Sequence, residues 1–272
     1  TGAPGGRDDM AIVVTAETGN AHWYTPEGQA MHTVETAAGG TRRTYIGDAR
    51  KRGLYPSVTA ILGILDKPAL TTWKIEQALI ASEAMPRPVG EDVASWRKRV
   101  VDASYEQVEK AADVGTTVHA AIAAMLAGQP TPPDLEQYLA PVRDWLDGRD
   151  VRPAAIEQVV TNRAEGYAGT VDLAFRYGRG GVGILDWKTR KTTPGREVEQ
   201  YDGQAMQLAA YAAAYWGVPK LPIVLAANLF ISSTEPGRID VVKCPNLVAA
   251  YDAFRAAAVV WRYQKSYDPR VL

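Results

Sequence analysis

The spacing of apolar positions divides the chain into three stretches. Between residues 11 and 56, β-branched and aromatic residues mix with Gly and Asn, as in Ala11–Val14, His22–Thr25 and Thr41–Ile46. This pattern predicts short strands or a hairpin behind a Thr-Gly-Ala-Pro-Gly-Gly tail. From Ser57 the period becomes helical. Ser57 is placed to cap and start one helix, and Pro68 suits the first turn of a second that runs through Trp73 to about Ala84. Met85-Pro-Arg-Pro-Val-Gly breaks that helix. A charged helix then fits Glu91–Asp113, and a small-residue apolar helix fits Gly115–Ala127. After the Gln129-Pro-Thr-Pro-Pro loop, Asp134 is placed to cap a helix ending near Gly148.

Beyond Pro153 the pattern changes again. Ile156–Asn162, Gly169–Tyr177 and Val182–Lys188 read as three strands, with turns at Glu165-Gly166 and Gly178–Gly181. Gly203–Trp216 reads as a helix, Ile223–Ile231 and Ile239–Val242 as strands, and Pro245–Tyr263 as a last amphipathic helix. Helices around a mixed sheet, without regular βαβ alternation, predict a compact α/β core of the α+β kind. The expected organisation is an N-terminal tail with short strands (1–56), a helical region (57–150) and a sheet-bearing core (151–272), the last two forming one compact domain.

Composition narrows the chemistry. The 272 residues are 46% hydrophobic and 22% charged, enough to bury a substantial core. Apolar runs such as Leu221–Ile231 fall short of the ~20 residues a membrane span needs. Without a signal-like opening segment, the expected compartment is the cytoplasm, the host's if a phage encodes the chain. Cys244 is the only cysteine, which excludes an internal disulfide, a cysteine-ligated zinc site and a four-cysteine iron–sulfur cluster. A net charge of −1 gives no global pull toward phosphate, so a DNA partner needs local patches. Such patches lie at Arg42–Arg52, Arg97–Arg99 and Lys188–Lys191.

The sharpest chemistry lies in Gly169-Thr-Val-Asp172 and Ile184-Leu-Asp186-Trp-Lys188. Residues i and i+2 of a strand share a face, so Asp186 and Lys188 project together. Asp172, fourteen residues earlier, lies on the other arm of a hairpin closed by a glycine-rich turn. Two carboxylates on one strand face repel unless a cation holds them, and a hard ion such as Mg²⁺ or Mn²⁺ suits oxygen ligands. A lysine beside them can orient water and stabilise charge on a phosphate. These parts describe metal-assisted phosphodiester hydrolysis. Upstream, Gly115-Thr-Thr-Val-His119 puts an imidazole on a helix; downstream, Gln207 and Tyr211 stand four apart on one helix face.

Taken in order across about 97 residues, from Gly115 to Tyr211, these motifs resemble the RecB-type branch of the PD-(D/E)XK nucleases. Tyr55-Pro-Ser-Val-Thr-Ala-Ile-Leu and Leu70-Thr-Thr-Trp-Lys74 also look like phage nucleases and mitochondrial genome-maintenance exonucleases of that branch. The resemblance implies that Asp172 and Asp186 are carboxylate ligands of one or two Mg²⁺ or Mn²⁺ ions, helped by the Trp187 backbone carbonyl and by His119. Lys188 is then the catalytic lysine, Gln207 and Tyr211 position it or the phosphate, and Glu157 is the upstream acid. Val171 stands where the family name has proline. The single cysteine sets the chain apart from the iron–sulfur subgroup, and no Gly-x-x-x-x-Gly-Lys-[Ser/Thr] loop is present, so no ATP is expected.

Further DNA contacts are expected from Ser57 and Thr59 by hydroxyl donation, from Trp73 and Lys74 by stacking and charge, and from Arg190 and Lys191. The expected activity is a metal-dependent DNA exonuclease for recombination, repair or DNA processing, working on single-stranded or duplex ends, and the expected protein partner is a recombination protein such as an annealing protein. The alternatives are a structure-specific endonuclease and a catalytically silent DNA-binding or assembly subunit.

Overall fold

The structure, a computed structural model, describes residues 23–37 and 39–271, with no account of the side chains of residues 105–112 and 202. The strand expected at Ala11–Val14 lies outside the described residues. In the N-terminal stretch β1 (Trp23–Tyr24) pairs with β4 (Tyr55–Pro56), and β2 (Thr33–Glu35) pairs with β3 (Thr41–Arg43). The strand expected over Thr41–Ile46 stops at Arg43, because Ile46 opens a helix, α1 (Ile46–Arg52). Asp48 explains the switch. Its carboxylate accepts from the Tyr45 N–H at 3.0 Å and holds Arg42 at 2.6 Å, an acid in the first turn where the helix end is positive. Arg50, Lys51 and Arg52 form the last turn, and Gly53 closes it at φ 65°.

Ser57 caps the short α2 (Val58–Leu62), its hydroxyl accepting from the Ala60 N–H at 3.0 Å. Pro68 opens α3 (Pro68–Ala84) as expected. The two helices expected over 91–127 are a single 34-residue helix, α4 (Val93–Leu126). Gly115 does not break it, since an interior glycine costs only about 1 kcal/mol and no proline follows. Asp134 does not cap α5 (Glu136–Asp147). The preceding prolines fix a 3₁₀ turn, Pro133–Leu135, that runs straight into the helix, so its N-cap is Leu135.

Five strands build the central sheet, in spatial order β5 (Val151–Asn162), β6 (Tyr167–Tyr177), β7 (Gly181–Arg190), β8 (Val224–Ser232) and β9 (Ile239–Lys243). The first three form an antiparallel meander. Helix α6 (Asp202–Tyr215) carries the chain across so that β8 joins β7 in parallel, and β9 returns antiparallel. The last helix is α7 (Leu247–Lys265). The molecule is therefore a mixed α/β fold of the α+β kind.

The sheet is covered on both faces. Val182, Ile184 and Ala226 pack with α6, α7 and the N-terminal Trp23 and Leu54 in one apolar cluster. Leu173, Leu185, Trp187 and Leu229 pack with Val118 and Ile122 of α4 and Leu139 and Val142 of α5 in the other. Helix α3 differs: it buries no residue, and Leu70, Ile75, Leu79 and Ile80 stay exposed. No helix among the described residues is long and apolar enough to cross a membrane.

Candidate functional site

Strand register lines up the polar residues as one rung across four strands. Ile156 pairs with Leu173 and Gln158 with Val171, which sets Glu157 opposite Asp172. The β6–β7 ladder ends at Leu173 and Leu185, which brings Asp172 next to Asp186. Asp186 in turn lies directly opposite Asn228 on β8. Residues opposite one another in a sheet point to the same face, so the rung Glu157–Asp172–Asp186–Asn228 points one way throughout.

Each carboxylate is held differently. Asp172 is 9% exposed, and its Oδ2 accepts from the Trp187 N–H at 2.8 Å. Asp186 is nearly sealed at 1% exposure: its Oδ1 accepts from Gln207 Nε2 at 3.0 Å, and its Oδ2 from Asn228 Nδ2 at 2.7 Å and from Lys188 Nζ at 2.6 Å. Glu157 reaches the rung through a left-handed backbone, φ 46°, inside an otherwise extended strand. A non-glycine residue there is strained by roughly 1–3 kcal/mol, and strain of this kind gathers at working sites.

His119 on α4 completes the arrangement, its Nδ1 standing 3.8 Å from Asp172 Oδ2. The Trp187 N–H is committed to Asp172, and the Trp187 backbone near His119 favours the charged form of the imidazole, though less than burial opposes it. One ligand atom each from His119, Glu157 and Asp172 lies within 4.8 Å of the others. An octahedral cation with bonds of ~2.1 Å spaces its ligands between ~3 and ~4.2 Å apart, so a small contraction closes the three on one ion. Asp186, which the resemblance places among the ligands, lies outside this group of three; one donor meets its Oδ1 and two meet its Oδ2.

The electrostatics fit the same ion. Burial pushes the Glu157 carboxyl up to about 7, and Asp186 adds to it. Burial, then Asp186 and Glu157, hold Asp172 well above the usual carboxylate range. Burial lowers His119 to about 4, against the pull of Asp186, so its imidazole is neutral and free to ligate. Burial opposes the charge on Lys188, but Asp186 and Asp172 more than offset it and raise its pKa. Two crowded acids and a neutral imidazole form a donor set suited to a hard divalent cation.

From α6, Gln207 bonds both Asp186 and the Tyr211 hydroxyl, the latter at 3.2 Å. Tyr211 enters because residue 169 is glycine: a Cβ there would lie 2.7 Å from the Tyr211 ring. Two partners escaped the sequence reading. Asn228 is fully buried and orients Asp186, and Gln200 Nε2 donates to Asn228 Oδ1 at 2.6 Å. The available signal was a lone amide inside the apolar run Ala226–Ile231.

The expected DNA contacts divide. Ser57 is buried, its hydroxyl spent on the cap and on Thr59, so it acts as a helix cap. Thr59 lines a cavity that reaches Lys188. Trp73 is half-buried and Lys74 exposed on α3, outside the carboxylate rung. Arg190 donates to the Glu199 carbonyl at 3.1 Å and lies over the Tyr201 and Phe230 rings, while Lys191 is exposed.

No protein-family model and no curated protein matches the chain. Among solved structures, one titled "Crystal structure of SSO0001" aligns over 72% of this chain and 86% of its own, at 12% identity and a TM-score of 0.33.

Proposed function

We propose that this protein is a divalent-metal-dependent deoxyribonuclease with a PD-(D/E)XK core, acting as an exonuclease on DNA ends. The observation that carries the reading is the rung itself: Glu157, Asp172 and Asp186 aligned on three adjacent strands, with Lys188 bound to Asp186 and His119 facing Asp172. His119, Glu157 and Asp172 would hold the ion, Mg²⁺ or Mn²⁺. When bound, it supplies Lewis acidity and water activation for phosphodiester hydrolysis.

The chain's own groups do the rest. Lys188 works as an ammonium, since Asp186 and Asp172 favour its charged form, and it compensates charge growing on the phosphate. Asp186 acts as the anchor of that lysine; Gln207 and Asn228 fix its two oxygens, so the Nζ position is set before substrate arrives. The Tyr211 hydroxyl stays neutral, held well above its ordinary pKa by burial and by Asp186, and orients Gln207.

The test is digestion of end-labelled single-stranded, blunt duplex and circular DNA in Mg²⁺, Mn²⁺ or EDTA, beside Asp186→Ala and Lys188→Ala. The expected result is metal-dependent loss of linear DNA, intact circles and inactive variants. Cut circles would make the protein an endonuclease. DNA binding without cleavage in any metal would leave a silent binding subunit.

A further inference from the structure

A cavity of about 660 Å³ opens beside Lys188, in the angle between α2, the start of α3 and the first turn of α6. Lys188 and Gln207 close one end of it, and these same two residues grip Asp186. Leu62, Leu65, Leu70 and Met206 supply an apolar wall. Such a volume takes a small molecule or a single chemical group. Tyr201, half exposed under the Arg190 guanidinium, adds an aromatic surface. The Gln204 side chain also lines the space; its Oε1 accepts from the Tyr201 N–H, so what it offers an occupant is an N–H donor.

We infer that this cavity receives one unpaired nucleobase of the strand being cut, the base attached next to the phosphate at Lys188. The inference rests on the nuclease reading above. The argument is continuity: a phosphate held at one end by Lys188 carries its base on a sugar one bond sequence away. That base meets an apolar wall, an aromatic ring and, from Gln204 and Thr59, hydrogen-bond donors, with Asp66 and Lys67 also on the lining. A flat heterocycle with acceptors on its edge satisfies all three. A base inside a duplex is stacked on both faces and must first leave the helix, which costs a few kcal/mol. The cavity therefore selects single strands and frayed ends over blunt duplex.

The experiment walks a 2-aminopurine along a single-stranded oligonucleotide bound in Ca²⁺, and an abasic site along the same strand cut in Mg²⁺. The expected result is a several-fold fluorescence change at one offset from the scissile bond. An abasic site at that offset should slow cleavage about tenfold. In Leu70→Trp, and in Leu65→Trp as a second variant, a filled cavity should make intact and abasic strands react at one common rate. Leu70 is 41% exposed, so its replacement leaves the fold intact. Cleavage that ignores both probes overturns the cavity assignment and leaves the nuclease reading standing. A position-specific fluorescence signal without cleavage in any metal overturns the nuclease reading and leaves a base-binding cavity with no strand being cut. Absence of DNA binding overturns both.

Discussion

Two neighbouring rungs of the central sheet make an instructive pair. One runs Ile156–Leu173–Leu185–Ala227 in paired register; the next, one residue along, gathers Glu157, Asp172, Asp186 and Asn228, with Asp186 paired to Asn228 and Asp172 just past the end of the β6–β7 ladder. The first is sealed against α4 and α5, with every member at most 2% exposed. The second points to the other face and gathers three carboxylates. One residue of offset thus separates adhesion from chemistry, because side chains alternate along a strand. The apolar rung stabilises the sheet; the polar rung is tolerated because the sheet is stable.

The largest expected effect breaks the polar rung alone. Asp172→Asn keeps an acceptor for the Trp187 N–H but removes a cation ligand, and in cation-free protein it replaces a carboxyl that burial, Asp186 and Glu157 already hold protonated. DNA cleavage should fall by about 10³-fold or more, roughly 4 kcal/mol of lost transition-state stabilisation. The melting temperature of the cation-free protein should hold or rise. Single-turnover kinetics and thermal melts in EDTA measure the two sides. A destabilised Asp172→Asn with surviving activity would dissolve the distinction between the rungs.

The complementary change is Leu185→Ala on the apolar rung. Leu185 is fully buried, and its truncation should cost about 2–5 kcal/mol in urea unfolding. The protein that remains folded should keep far more of its activity than Asp172→Asn, because Glu157, Asp172, Asp186 and Lys188 face away from the void and only His119 lies on the helix that lines it.

A smaller effect comes from pH and cation. Folded, cation-free protein holds protons on Glu157, whose carboxyl sits at about 7, and on Asp172, while the unfolded chain has released them by neutral pH. Unfolding therefore releases protons, and stability falls as pH rises through about 7. His119 has the opposite sign: it is neutral when folded, and its contribution is lost as pH falls from 6.5 toward 4. Above pH 6.5 only the carboxylates act. Melting temperature in EDTA should decline by several degrees between pH 6.5 and 8, and Mg²⁺ or Mn²⁺ should cancel the decline by occupying the rung. A pH-independent melt would show that the acids are not crowded.

How far these features were legible in the sequence follows from their range. Asp186 and Lys188 are i and i+2 on one strand, and Gln207 and Tyr211 are i and i+4 on one helix, so local periodicity exposes them. Asp172 follows from one hairpin. Asn228 does not, because its meeting with Asp186 depends on a parallel pairing made only after α6 has crossed the sheet. The continuity of α4 was hidden for a related reason: Gly115 weakens the local helical signal, and packing of α4 on the sheet and on α5 decides the matter. Asp134 failed as a cap because two prolines fixed the turn around it.

Glu157 bears the smallest and most diagnostic prediction. Removing its carboxylate mixes lost ligation, relieved repulsion and relieved backbone strain, so one variant alone says little. Comparing Glu157→Ala with Glu157→Gly separates them, since both remove the carboxylate and differ only in Cβ. At an ordinary strand position glycine is less stable than alanine by roughly 0.5–1 kcal/mol. At φ 46° the order should invert, glycine being the more stable by about 1 kcal/mol, because Cβ clashes in the left-handed region. Gln158, next along β5 and without a positive φ, supplies the control and should show the ordinary order. Urea unfolding of the four variants reads the result. The same order at both positions would mean that Glu157 reaches the rung without strain.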